Sequence, residues 1–183
     1  MSANVASRRV EQEARNQRVL IVEDEFLIAL DVADVVEGMG LTVAGLATGL
    51  QKALAMAADA DIALVDVNLA DGATGPTIAR ELSERFGITV IFMTANPEQL
   101  KGKTECSLGV LTKPVMPQVI EETIDYALAN RRGMTAPVPH GRTYPSLSMW
   151  RALAKRARHG YIFIRSNGVP HLRLRGVSPT RRT

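Results

Sequence analysis

The chain has 183 residues, 46% hydrophobic and 22% charged, which is enough apolar material for one domain of ordinary size with some extension. Its single cysteine excludes a disulfide framework within the chain and fits a reducing, cytoplasmic setting; no apolar run approaches the ~18 residues that a membrane span needs. The net charge of +3 conceals an asymmetry: residues 19–133 hold 8 Lys+Arg against 17 Asp+Glu, whereas residues 134–183 hold 10 Lys+Arg and no acid.

That asymmetry divides the chain into a polar N-terminal segment (1–17), an acidic domain (18–133) and a basic linker and extension (134–183) with its own role or partner. Residues 1–18 show no strand pattern, and Arg8-Arg9 are followed by Val10-Glu11-Gln12-Glu13 rather than the apolar segment of a signal peptide. Residues 19–22 open a sheet. After Glu23-Asp24-Glu25, Leu27, Leu30, Val35 and Met39 mark a helix ending at Gly38 or Gly40. A short strand at 41–44 follows, then an Ala-rich helix that Thr48 is placed to cap. Residues 62–65 form an apolar run of the kind buried on both faces in a parallel sheet. It ends on Asp66 and passes into a turn closed by Asp71-Gly72.

A helix is expected over residues 76–86, with Pro76 in its first turn, then a fourth strand at 89–93. Pro97, Gly102 and weak periodicity leave room for only a short or irregular helix over 96–108. A fifth strand at 110–112 precedes a final amphipathic helix through Val119, Ile120, Ile124, Ala127 and Leu128, ending near Arg131-Arg132. Strands alternating with helices imply an α/β fold with a parallel sheet, right-handed crossovers and helices on both faces. Beyond Gly133, residues 135–141 read as a linker, Ser148 is placed to cap a basic helix over 149–159, and residues 161–165 and 171–175 pair as a hairpin around Asn167-Gly168. Pro170 confines the second of these strands to an edge.

Four strand ends therefore deliver Glu23-Asp24, Asp66, Thr94 and Lys113 to one edge, where open α/β sheets bind ligands. The three acids offer oxygen ligands to a hard cation such as Mg²⁺, with the Asn68 backbone carbonyl as a further ligand. With a cation in place, Asp66 can stay ionised and attack phosphorus; Lys113 then meets the charge of the resulting acyl phosphate, and Thr94 donates a hydrogen bond that exists only in that state.

In the type and order of Glu23, Asp24, Asp66, Thr94 and Lys113-Pro114, residues 18–130 resemble the receiver domain of two-component response regulators. The resemblance implies a flavodoxin-like, doubly wound, five-stranded parallel sheet of order 2-1-3-4-5 and a cis peptide at Lys113-Pro114. It implies Mg²⁺ at Glu23, Asp24 and Asp66, and phosphorylation of Asp66 by a histidine kinase or histidine phosphotransfer protein. Thr94-Ala95-Asn96-Pro97-Glu98 resembles a variant found in some bacterial receivers. Receivers often carry Tyr or Phe three residues before the lysine, where it moves as the threonine engages the phosphoryl group; this chain departs from that pattern with Val110.

Singly, each residue has a plainer role: Glu23-Asp24-Glu25 as an acidic first helical turn, Asp66 as a turn acid, Thr94 as a strand-end cap, Lys113 as a solvated lysine. Their conjunction at one sheet edge is what points to chemistry. Gly102-Lys103-Thr104 is not a P-loop, since the earlier glycine falls at Pro97, and His140, His159 and His171 have no zinc-like spacing to Cys106. The leading expectation is a phosphoacceptor that signals through protein contacts, not an enzyme with an external substrate. A transcriptional regulator binding DNA through residues 134–183 is the alternative, and a phosphohydrolase using Asp66 as nucleophile is a third reading.

Overall fold

The computed structural model describes residues 17–134, together with the backbone of three strands at 143–145, 161–166 and 169–174. Five strands lie parallel: β1 (Arg18–Val22), β2 (Thr42–Ala47), β3 (Ile62–Asp66), β4 (Thr89–Thr94) and β5 (Ser107–Thr112), in the spatial order β2-β1-β3-β4-β5. This is the flavodoxin-like order that the resemblance implies. Helices α1 (Phe26–Gly38), α2 (Leu50–Met56), α3 (Gly75–Phe86) and α4 (Pro117–Arg131) follow β1, β2, β3 and β5.

Alternate side chains of the strands supply two cores, because successive residues of a strand point to opposite faces. Leu20, Val22, Ala63, Val65, Val90 and Phe92 join Ala53 of α2 and Ile78, Ala79 and Leu82 of α3. On the other face Val19, Ile21, Ile62, Leu64, Ile91 and Met93 join Ala29, Val32 and Val36 of α1 and Ile120, Ile124 and Ala127 of α4. All five residues of β3 are buried. At about 1.5–3 kcal/mol for each fully buried branched aliphatic side chain, Ile62, Leu64 and Val65 anchor the central strand firmly, and it ends on Asp66.

Several local expectations need correction. Leu27 and Leu30 do not face the core: they are 75% and 37% exposed, while Ala29, Val32, Ala33 and Val36 are buried. The inward stripe of α1 is built from small residues that let the helix sit close to the sheet. Thr48 is not the cap of α2, since Gly49 holds that position and no side chain caps the helix. Strand β2 runs three residues further than 44, and β5 begins at Ser107 rather than 110.

The irregular stretch after Thr94 holds only a 3-10 turn, Pro97–Leu100, with Leu100 buried in the first core. Gly87 closes α3 in the left-handed conformation, φ 67°, its N–H meeting the carbonyls of Leu82 and Ser83. The hairpin is present as β7 (Tyr161–Ser166) and β8 (Val169–Leu174), with Pro170 opposite Arg165. One strand was not anticipated: β6 (Thr143–Pro145) pairs antiparallel with β5, setting Tyr144 opposite Val110. The linker over 135–141 and the basic helix over 149–159 lie outside the described residues.

Candidate functional site

The site stands on the carboxyl edge of the sheet. Glu23 and Asp24 follow β1, Asp66 is the last residue of β3, Thr94 the last of β4, and Lys113 follows β5. Parallel pairing brings these ends level: Asp66 is in register with Met93, and Thr94 with Thr112. The backbone ties them further, for Glu23 N donates to Ala47 O at 2.9 Å and Lys113 N to Thr94 O at 2.9 Å.

Glu23, Asp66 and Thr94 are nearly sealed from solvent, at 1%, 6% and 0% exposure, and Asp24 is half-buried. Glu23, Asp24 and Asp66 each bring a carboxylate oxygen within 4.8 Å of the others. Three acids this close repel one another unless positive charge lies among them. Lys113 supplies it: its Nζ donates to Asp66 Oδ2 at 2.6 Å and to Glu23 Oε2 at 2.7 Å.

Burial pushes the Glu23 carboxyl above the usual carboxylate range, against the pull of Lys113. Burial also works against the Lys113 ammonium, but its hydrogen bonds to Asp66 and Glu23 prevail and hold it above the ordinary lysine value. The Thr94 hydroxyl oxygen accepts from Asn96 N at 3.0 Å, which fixes the rotor and leaves its own proton to donate. Asn68, with an exposed side chain, turns its N–H to Asp66 Oδ1 at 3.3 Å. Lys113-Pro114 is cis.

All the residues singled out from the sequence therefore gather at one edge. The arrangement offers a hard cation three carboxylates, and a developing anion one ammonium and one hydroxyl. The sequence reading missed the base of the loop after Asp66. Gly75 N donates to Val67 O at 3.2 Å, and Leu69 and Gly72 exchange backbone hydrogen bonds at 2.9 and 2.8 Å. The only signal of this in the sequence is a glycine directly before Pro76 at a helix start.

Residues 19–125 match the family described as the response regulator receiver domain. Over 114 residues the chain is 37% identical to the phyllosphere-induced regulator PhyR of Methylorubrum extorquens, an alignment covering 60% of this chain and 43% of that protein. The chain thus spans less than half the length of this curated relative. Among solved structures, the receiver domain of PhyR from Erythrobacter litoralis superposes with a TM-score of 0.58 at 32% identity, covering 67% of this chain and 95% of that one. The anti-anti-sigma factor PhyR from Bartonella quintana gives 0.58 at 32% identity, covering 71% of this chain and 54% of that one. Among the described residues, no helix is long and apolar enough to cross a membrane.

Proposed function

The chain belongs to the response regulator receiver domain family, and from that premise we propose that it is the phosphoacceptor of a two-component relay, taking a phosphoryl group on Asp66 from a histidine kinase or histidine phosphotransfer protein and signalling the change to a partner protein. The observation that carries the reading is the Lys113 ammonium, 2.6 Å from Asp66 Oδ2 and 2.7 Å from Glu23 Oε2, inside a cluster of three carboxylates.

An Asp66 oxygen attacks the phosphorus of the donor's phosphohistidine. The new P–O bond forms as the P–N bond breaks, and the imidazole departs with the electron pair. Lys113 meets the charge on the transferred oxygens, and the Thr94 hydroxyl donates to one of them. The donor set suits Mg²⁺, a hard cation that accepts one or two carboxylates and keeps waters or phosphate oxygens. Glu23, Asp24, Asp66 and the Asn68 carbonyl would hold it, and when bound it supplies positive charge to the phosphoryl oxygens.

Once Asp66 is phosphorylated, Lys113 exchanges a carboxylate partner for a phosphoryl oxygen and Thr94 gains one. That difference between states is what a switch needs. Output through a protein is supported by the similarity to a structure described as an anti-anti-sigma factor. The DNA reading rests on residues 134–183, of which the structure describes Met134 and the backbone of three short strands.

Intact-mass analysis after exposure to a small phosphodonor and to a phosphorylated histidine phosphotransfer protein tests the proposal. It predicts one added phosphoryl group that depends on Mg²⁺ and disappears in Asp66→Asn; no adduct from either donor would defeat it.

A further inference from the structure

The geometry points to Gly75 as a positioning residue for Asp66, one that fixes where the nucleophile's own peptide lies. This deepens the reading above and rests on it. A Cβ built on Gly75 would stand 2.1 Å from the Asp66 carbonyl oxygen, 2.6 Å from Val67 Cα and 2.9 Å from the Asp66 carbonyl carbon, all closer than the 3.0 Å that real Cβ atoms respect. Every atom met is backbone, so no rotamer change relieves the overlap. Either the peptide joining Asp66 to Val67 or the first turn of α3 must move by an ångström or more.

Both sides are held. On one side β3 is hydrogen-bonded to β1 and β4 along its length. On the other, Ile78, Ala79 and Leu82 of α3 are all fully buried in the first core. Gly75 N also donates to Val67 O at 3.2 Å, so the helix start is clasped to the residue after the nucleophile. The loop between them is closed at its tip by the Leu69–Gly72 pair, and Thr74 Oγ1 donates to Asp71 Oδ1 at 2.6 Å. Asn68 sits inside this closed loop with its N–H on Asp66 Oδ1. The missing side chain at Gly75 therefore sets three things together: the Asp66 carboxylate against Lys113, the Asn68 N–H, and the Asn68 carbonyl offered to the cation. Residues that orient a ligand from behind are worth about 10–100-fold in metal affinity, and misplacing a reacting group by ~1 Å costs on the order of a hundredfold in rate.

The test uses the full chain with Gly75→Ala, beside Gly38→Ala, where a Cβ meets nothing within 4 Å, and Ile78→Val, which removes one methyl group from the buried face of α3. Three quantities are read: the Asn68 amide resonance without metal, the Mg²⁺ dissociation constant, and the rate of phosphorylation by a small phosphodonor. Gly75→Ala is expected to stay folded, to move the Asn68 resonance, to weaken Mg²⁺ binding about tenfold or more, and to slow phosphorylation more than either control. Wild-type values of the Asn68 resonance and Mg²⁺ affinity in Gly75→Ala would overturn the inference. If the variant is unfolded in buffer, the readings are taken in trimethylamine N-oxide, which favours the compact state; a chain unfolded there too would also overturn it, making the glycine a requirement of folding. Failure of the wild type itself to bind Mg²⁺ or accept phosphate would instead strike the proposed function, and the metal-free Asn68 resonance would still decide the role of Gly75.

Discussion

The Lys113 ammonium donates to Asp66 Oδ2 across 2.6 Å, although 47 positions separate the two residues in the chain. The same nitrogen reaches Glu23 Oε2 at 2.7 Å, and the side chains of lysine and glutamate are 16% and 0% exposed. One ammonium thus offsets part of the charge of three carboxylates before any ligand arrives, and the lysine is held against the proposed nucleophile.

Removing that charge leaves buried carboxylates without a counterion. Lys113→Met is predicted to destabilise the fold by about 3 kcal/mol, the order found when one partner of a buried pair is lost, and to abolish most phosphorylation. Urea unfolding gives the first quantity. Mg²⁺ is predicted to restore part of the lost stability, because it binds the folded carboxylate cluster and not the unfolded chain.

The two raised pKa values have the same sign in linkage. A group that holds its proton more tightly when folded makes the native state bind more protons, so stability falls as pH rises through the window between the two values. For Glu23 that window opens at its ordinary value of 4.5 and extends upward. For Lys113 the contribution is fully present below 10.5 and is lost as pH rises past it toward the raised folded value. Unfolding free energies across pH are predicted to show both declines; burial raises the Asp125 carboxyl as well, so Glu23→Gln is predicted to shrink the acidic decline and not to abolish it.

At the opposite end of the sheet, Arg131 of α4 donates to Gly87 O at 3.1 Å, to Thr89 Oγ1 at 3.2 Å and to Asp61 Oδ1 at 3.3 Å. Asp61 Oδ2 in turn accepts from Arg18 N at 3.0 Å. Partial exposure screens the ion pair, so Arg131→Ala is predicted to cost about 1–2 kcal/mol, mostly from the lost hydrogen bonds. Thermal unfolding reads this loss, while phosphorylation and Mg²⁺ affinity are predicted to stay at wild-type levels because the site lies at the other sheet edge.

Strand β6 covers the outer edge of β5 at Gly109, Val110 and Leu111. An uncovered edge strand is a template for pairing between molecules. A chain ending at residue 134 is therefore predicted to self-associate more strongly than the full chain, as read by sedimentation velocity at increasing concentration. Equal behaviour of the two chains would show that β6 does not protect that edge.

The site was legible because each of its members ends a buried apolar run: Val65 precedes Asp66, Met93 precedes Thr94, and the lysine follows Leu111-Thr112. A strand buried on both faces announces itself by composition, and a polar residue at its end stands out. The face of α1 was not legible, because Phe26, Leu27 and Leu30 outweigh in hydrophobicity the Ala29 and Ala33 that point inward. Close approach to the sheet favoured the small residues. Strand β5 was read short because Ser107 and Gly109 weaken its apolar signal, although Ser107 is buried and Gly109 is paired to both β4 and β6. Strand β6 rests on backbone pairing, which three residues of mixed polarity do not advertise. The contact of Gly75 with the Asp66 peptide is a tertiary fact with no periodic trace.

The central claim is that Asp66, and no neighbouring acid, takes the phosphoryl group. The most direct measurement is borohydride reduction of the phosphorylated chain, which converts an acyl phosphate to an alcohol, followed by peptide mapping. The alcohol is predicted at residue 66 alone, formed only when Mg²⁺ and a phosphodonor were both present. Reduction at Glu23 or Asp24, or at no residue after treatment with a competent protein donor, would contradict the account.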